Sequence, residues 1–287
     1  MKVIEWLATV TGAMALAVVA ANAVGARHWN RRTRGLIDRL DAGRLPSHAA
    51  RYDEAELEGL PAVVQRYLRA VLVPGQPILV AADLRHRGEF NLGETTDRWK
   101  PFTSEQHVVV RRPGFVWNGC IQAAIGVPVR VHDAYIAGEG LLRPALFGLV
   151  TLVDMRGSGE LARGELMRYL AETPWYPTAL LPSQGVHWQA VDEHSARVSL
   201  QDGEIGADLL FRFGADGLVE SVHAAQRGRT VGKIIVPTPW EGRWSNYQLR
   251  GGMKVPMNGE VAWLTGAGRK SYWRGTLTFL RHEPSAA

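Results

Sequence analysis

The sequence has one cysteine, Cys120, in 287 residues. An internal disulfide is therefore excluded, and so is a zinc site built on several cysteines. Familiar catalytic motifs are also missing. There is no HExxH and no close histidine pair suited to zinc. There is no GxSxG turn to present a nucleophilic serine. Gly138-Glu139-Gly140 lacks the rest of a dinucleotide-binding turn. Gly268-Arg269-Lys270-Ser271 looks like the end of a phosphate loop, but its glycine spacing is wrong and it joins two strand-like runs, so it reads as a hairpin turn. His86, His107 and His132 fall on successive strand-like runs. Histidines so placed are ordinarily satisfied or exposed, and neither a metal nor a cofactor is expected.

Excess charge of one sign is absent from most of the chain. The formal net charge is +5. Residues 1–51 hold eight cations and three anions, whereas 52–287 hold 25 of each. The pI of about 9.5 thus describes one arm. A groove neutralising many phosphates is not expected, which argues against a nucleic-acid partner. Hydrophobic residues make 46% and charged residues 21%, a balance that excludes wholesale disorder and allows a sizeable core.

Leu7 to Ala26 carries no charge over twenty residues. That length matches a bilayer-spanning helix. Trp6 and Trp29 flank it in the manner of interfacial anchors. Lys2 and the Ala21-Asn22-Ala23 triplet would also suit a cleaved signal peptide, but four arginines follow within eight residues, which favours a retained anchor. The same cluster points to a cytoplasmic C-terminal side. Residues 1–51 are therefore expected to form a membrane anchor with a basic juxtamembrane helix, and 52–287 a single β-rich domain.

Asp53 is placed to start a helix with Glu56 as its capping-box partner. Val63, Val64, Tyr67, Leu68, Val71 and Leu72 then recur at helical spacing. From Ile78 the period becomes two. Strands are expected over 79–91, 104–111, 114–121 and 127–137, and a helix over about 159–173 after a glycine-rich stretch. Further strands are expected near 186–191, 196–201, 205–213, 218–227, 243–251, 259–265 and 270–281. Asp202-Gly203 and Asp216-Gly217 mark hairpin turns. The fold class is mainly β (α+β): a large antiparallel curved sheet or half-barrel of about eleven strands with a few packed helices.

Tryptophan is the compositional outlier, with ten in the chain. Trp99, Trp117, Trp175, Trp188, Trp240, Trp244, Trp263 and Trp273 lie beyond residue 51. Most are expected to fill a core, and some to line a cavity on a curved sheet. The densest chemistry lies between Gly164 and Pro182. Glu165, Arg168 and Glu172 share one helix face, which reads either as a solvated ion-pair stripe or as a headgroup or acid/base site beside Tyr169. The rigid apolar segment around Trp175 reads as a lid. Asp133 and Tyr135 share one strand face, and Glu105 and His107 another. The candidate ligand site is thus Glu165, Arg168, Tyr169, Glu172, Trp175, Trp99, Trp117, Asp133 and Tyr135, with no catalytic residue assigned.

Leu60-Pro61 with Arg66-Tyr67-Leu68-Arg69, Trp99-x-Pro101-Phe102, Gly114-Phe115-Val116-Trp117, Asp133-Ala134-Tyr135, the Arg168–Pro182 segment, Pro239-Trp240, and Tyr247 with Gly252 and Pro256 resemble a bacterial family of domains of unknown function. The match runs from about 58 to 282. More loosely, Gly114–Trp117 and Tyr247–Pro256 resemble strands of periplasmic lipoprotein carriers, LolA-like half-barrels wrapped around helices. That resemblance implies a concave face that binds acyl chains, on the extracytoplasmic side. The leading expectation is a membrane-anchored half-barrel binding or shuttling a lipid-like ligand, with membrane lipid or another hydrophobic small molecule as partner. The alternatives are an enzyme acting on a hydrophobic small molecule through Glu165 or Glu172, and an envelope-associated protein-interaction module.

Overall fold

The computed structural model describes residues 2–231 and 234–285. Its frame is one antiparallel sheet of fourteen strands. The chain enters through helix α1 (Lys2–Ala42), a 3-10 turn (Glu54–Leu57) and helix α2 (Ala62–Val71). One arm of the sheet follows: β1 (Leu79–Asn91), β2 (Trp99–Val109), β3 (Gly114–Ala124), β4 (Val127–Ile136), β5 (Glu139–Leu146), β6 (Val150–Thr151) and β7 (Met155–Gly157). Helix α3 (Glu160–Ala171) and three 3-10 turns between Thr173 and Gln184 separate the arms. The second arm is β8 (Val186–Asp192), β9 (Ser195–Asp202), β10 (Ile205–Phe213), β11 (Val219–Val231), β12 (Ile234–Arg250), β13 (Met253–Thr265) and β14 (Gly268–Pro284).

Within each arm, hairpin connections put neighbours in sequence side by side. The arms join where β1 pairs with β14, so the order is β6-β5-β4-β3-β2-β1-β14-β13-β12-β11-β10-β9-β8, with β7 on β5. The sheet is open and curved, with β6 and β8 at its ends. Gly268–Ser271 does lie at the β13–β14 hairpin, where Thr265 faces Gly268.

Alternation along each strand separates two faces. The inner face carries the main core, with α2, α3 and the 3-10 turns packed on it. The outer face of β2–β4 carries a smaller cluster of Val109, Val116, Ala134 and Ile136 against Leu40 of α1.

The sequence expectations need four corrections. Beside the expected strands, the stretch read as a glycine-rich loop forms β5, β6 and β7. Asp53 opens only a 3-10 turn: its side chain accepts from Ala55 N, while Glu56 accepts from Ser183 N at 3.1 Å instead of closing a capping box. The segment expected to be a lid is itself core, with every residue from Ala171 to Leu181 buried.

The fourth correction concerns the membrane anchor and with it any membrane side. Among the described residues no helix is long and apolar enough to cross a membrane. The rear of the uncharged run seats on protein. Asn22 Nδ2 donates to Gly126 O at 3.0 Å, and a Cβ on Gly25 would stand 1.9 Å from Phe147 O. Trp29, expected at an interface, is fully buried. Its ring stacks on His132 at 3.8 Å, and its Nε1 donates to Asn118 Oδ1 at 2.9 Å.

Candidate functional site

Helix α3 bridges the two arms, touching β3, β4 and β5 on one side and β10 and β11 on the other. It can do so because β5 yields space: a Cβ on Gly140 would stand 2.8 Å from Ala162 N. A helix buried from both sides cannot present a solvated ion-pair stripe, and Glu165 and Glu172 are both buried. Between α3 and the sheet lies a cavity of about 130 Å³. Trp117, Trp175, Trp240 and Trp244 form its buried parts, and half-buried Phe90, Tyr272 and Trp273 complete an aromatic wall.

Gln106, Trp117 and Asp133 stand in register across β2, β3 and β4, under α3. Arg168 spans this row. Its Nη1 donates to Asp133 Oδ2 at 2.7 Å and its Nε to Glu172 Oε1 at 2.8 Å. Gln106 Nε2 donates to the other oxygen of Glu172 at 2.6 Å. The guanidinium centre sits 4.8 Å from the Phe115 ring and 5.3 Å from that of Trp117. Burial alone would lower the Arg168 pKa, but Glu172, Asp133 and Glu165 together raise it. The arginine is therefore a fixed charge, not a proton donor.

Glu165 behaves differently. Burial, reinforced by the charge of Asp133, pushes its pKa well above the usual carboxylate range against the opposing pull of Arg227 and Arg168. Arg227 Nη2 is 3.8 Å from Glu165 Oε1, and Arg227 Nε donates to Gly164 O at 3.1 Å. Arg227 also donates to Tyr272 Oη at 3.3 Å, and Trp240 Nε1 donates to the same oxygen at 2.9 Å.

Of the residues singled out in the sequence, the structure gathers Arg168, Glu172, Trp175, Trp117 and Asp133 on the cavity wall, with Glu165 beside Asp133 and Arg227. It does not bring the other three there. Trp99 is corrected to the outer face of β2, where Arg274 covers its ring at 4.3 Å. Tyr169 lies in the core away from the cavity and donates to Val110 O at 3.3 Å. Tyr135 donates to Asp202 Oδ2 at 2.9 Å, a tie between the two arms. His86 faces inward against Trp175, whereas His107 and His132 face outward to α1, so the three do not converge.

Arg227 and Tyr272 were not foreseen. A β-bulge between Ala224 and Arg227 turns Arg227 inward, and another between Val261 and Ala262 lets both Tyr272 and Trp273 reach the cavity. A usable signal did exist for the tryptophans. Trp117-x-Gly119, Trp240-x-Gly242 and Trp273-x-Gly275 repeat one spacing, and each indole lies over its glycine.

A larger depression of about 560 Å³ lies on the outer surface of β1 and β12–β14. Glu89, Glu220, Arg243, Glu260 and Arg274 ring it, and it is open and polar. The less open, aromatic cavity is the better ligand site, since apolar walls with few convergent polar groups are what hold small molecules.

No curated protein matches the chain. Among solved structures, a LolA superfamily protein from Nitrosomonas europaea is 8% identical, with 77% of this chain and 91% of that one covered at a TM-score of 0.41. A lipoprotein-sorting protein domain from Vibrio parahaemolyticus, described as putative outer membrane, is 8% identical over 72% and 87% of the two chains, TM-score 0.38. A DUF1329 family protein from Desulfovibrio piger is 9% identical over 73% and 88%, TM-score 0.38. The profile of a family of unknown function, DUF6920, matches residues 58–282, and the chain belongs to that family.

Proposed function

We propose that the protein binds a small hydrophobic molecule in the cavity between α3 and the sheet. One observation carries this reading: an aromatic-walled space of about 130 Å³ beside an arginine held by Asp133 and Glu172. A cavity of about 150 Å³ lined by apolar side chains can hold benzene. The space here therefore suits one ring or a short chain. A lipid-like ligand would place only part of its tail there, and shuttling a long acyl chain would require the arms of the sheet to part.

The test is a titration of the full chain with toluene, read by tryptophan fluorescence, alongside native mass spectrometry for a co-purified molecule. Trp117, Trp175, Trp240, Trp244 and Trp273 line the cavity, so an occupant changes their surroundings and alters the emission. Saturable binding that Val261→Phe abolishes by filling the space is the expected result. Failure to saturate, with no co-purified molecule, refutes the reading.

A second reading, an enzyme using Glu165 as general acid, is favoured by one observation: a buried carboxyl beside Asp133 whose pKa is raised. It predicts proton exchange into a bound ligand, lost in Glu165→Gln. Retention of that exchange in the variant excludes it.

A further inference from the structure

The two cavity arginines are neutralised unequally. Arg168 has close hydrogen-bonded contacts with Asp133 and Glu172. Arg227 does not have an equivalent. Its nearest carboxyl oxygen, Glu165 Oε1, is 3.8 Å away, beyond hydrogen-bond distance. Its other contacts are neutral: Gly164 O and Tyr272 Oη.

The state of Glu165 follows from what surrounds it. Glu165 Oε2 and Asp133 Oδ1 are both buried, and neither meets a donor from another group. A buried carboxyl oxygen that meets no donor favours the protonated, neutral form of its group. The raised pKa of Glu165, with Asp133 among its causes, agrees. Burial thus favours the neutral form of Glu165, which leaves Arg227 without a close countercharge.

Arg227 is otherwise held in place. Its guanidinium centre lies 5.1 Å from the Trp240 ring and 5.8 Å from the Trp263 ring. Among the described residues no hydrogen bond uses its Nη2 group, and the side chain lines the cavity. An arginine fixed by flanking aromatics with donors to spare is a receptor for a planar anion.

We propose that the cavity selects a monoanion: a ring-sized or short-chain carboxylate whose oxygens meet Arg227 and whose apolar body lies among Trp240, Trp244 and Trp273. This rests on the binding role argued above and adds the charge of the ligand. An anion there completes the neutralisation of a buried cation, whereas a neutral isostere leaves it unmet.

The experiment compares three probes of one shape on the full chain, by calorimetry or tryptophan fluorescence: benzoate, benzamide and benzylamine. Benzoate is expected to bind at least tenfold more tightly than benzamide, and benzylamine least. Arg227→Met is expected to lose the preference for benzoate, and Arg227→Lys to keep part of it. Equal affinity for benzoate and benzamide, or a preference for benzylamine, overturns the charge assignment while leaving the cavity a binding site. No binding of any probe overturns both. The comparison on the native chain decides the point even where Arg227→Met fails to fold.

Discussion

Replacing Arg168 by methionine keeps most of the side-chain volume and removes the charge. The arginine donates to Asp133 at 2.7 Å and to Glu172 at 2.8 Å, and the three side chains are 16, 17 and 11% exposed. Two unit charges 4 Å apart attract by about 4 kcal/mol at an effective dielectric near 20, and desolvation offsets part of this. Removing one partner of a buried pair leaves the other uncompensated, at a cost of about 3–5 kcal/mol. A protein of this size loses about 2–4 °C per kcal/mol, so the midpoint should fall by roughly 6–20 °C. Urea unfolding followed by tryptophan fluorescence gives the free-energy difference directly. The triple variant Arg168→Met, Asp133→Asn, Glu172→Gln removes the stranded carboxylates and should recover more than half of the loss. A single variant within about 1 kcal/mol of native, outside the range expected for a broken buried pair, or a triple variant no more stable than the single one, refutes the reasoning.

The clasp between α1 and the outer face should depend on pH. His107 Nδ1 lies 2.7 Å from Asp83 Oδ1 and Nε2 lies 3.0 Å from Asp41 Oδ1 of α1, with Arg44 also at 3.1 Å. Burial would lower the His107 pKa, but the hydrogen bonds to Asp83 and Asp41 raise it, so its stabilisation is full below about 6.5 and lost as pH rises through the raised value. Asp83, lowered to about 2 chiefly by the hydrogen bond to His107, stabilises above its ordinary value of 3.8 and ceases to do so as pH falls through about 2. Native-minus-His107→Gln stability should therefore shrink above neutrality, and a flat difference from pH 5 to 9 would contradict this. Gly275→Val should cost about 1–3 kcal/mol and alter the near-ultraviolet dichroism, since a Cβ there stands 2.5 Å from Trp273 Cζ2. Gly266→Ala, with nothing within 4 Å, is the control. Trp99→Ala should leave toluene binding unchanged, because its ring lies on the outer face under Arg274, and weakened binding would show that face to be coupled to the cavity.

The strands and their inner faces were legible where a two-residue period runs unbroken. Asp133 and Tyr135 do share the inner face, and Glu105 and His107 the outer one. The limits have physical causes. The β5–β7 stretch carries Gly138, Gly140, Gly148 and Gly157, which read as a loop, yet Gly140 is what lets α3 approach the sheet. The i,i+4 spacing correctly pairs Arg168 with Glu172, but the second carboxylate on Arg168 is Asp133, thirty-five positions away in sequence. Glu165, on the same helix face, turns instead towards Arg227. Nothing in the pattern of β11 announces a bulge, and without it Arg227 would face the other way from Ala224. Hydropathy does not show that the rear of the uncharged run of α1 meets protein: Asn22 donates to Gly126 O and Gly25 lies against Phe147, while Leu16, Val19 and Val24 stay exposed.

The position of α1 bears on the cavity through single-residue alternation. Asn118 accepts from Trp29 on the outer face, while Trp117, the preceding residue, lies under Arg168 on the inner one. His132 stacks on Trp29, and Asp133, the next residue, holds Arg168. His107 meets Asp41 of α1, and Gln106 beside it holds Glu172. Each strand under the Arg168 network thus has its neighbouring residue fixed by α1 on the opposite side. Because successive side chains share one backbone, fixing the outer residue restricts the inner one. The buried charges need such restraint: their attraction offsets the cost of desolvation only while the geometry is held. The long helix is on this account a splint for β2–β4, and the half of the cavity that carries the charge network is the half it supports.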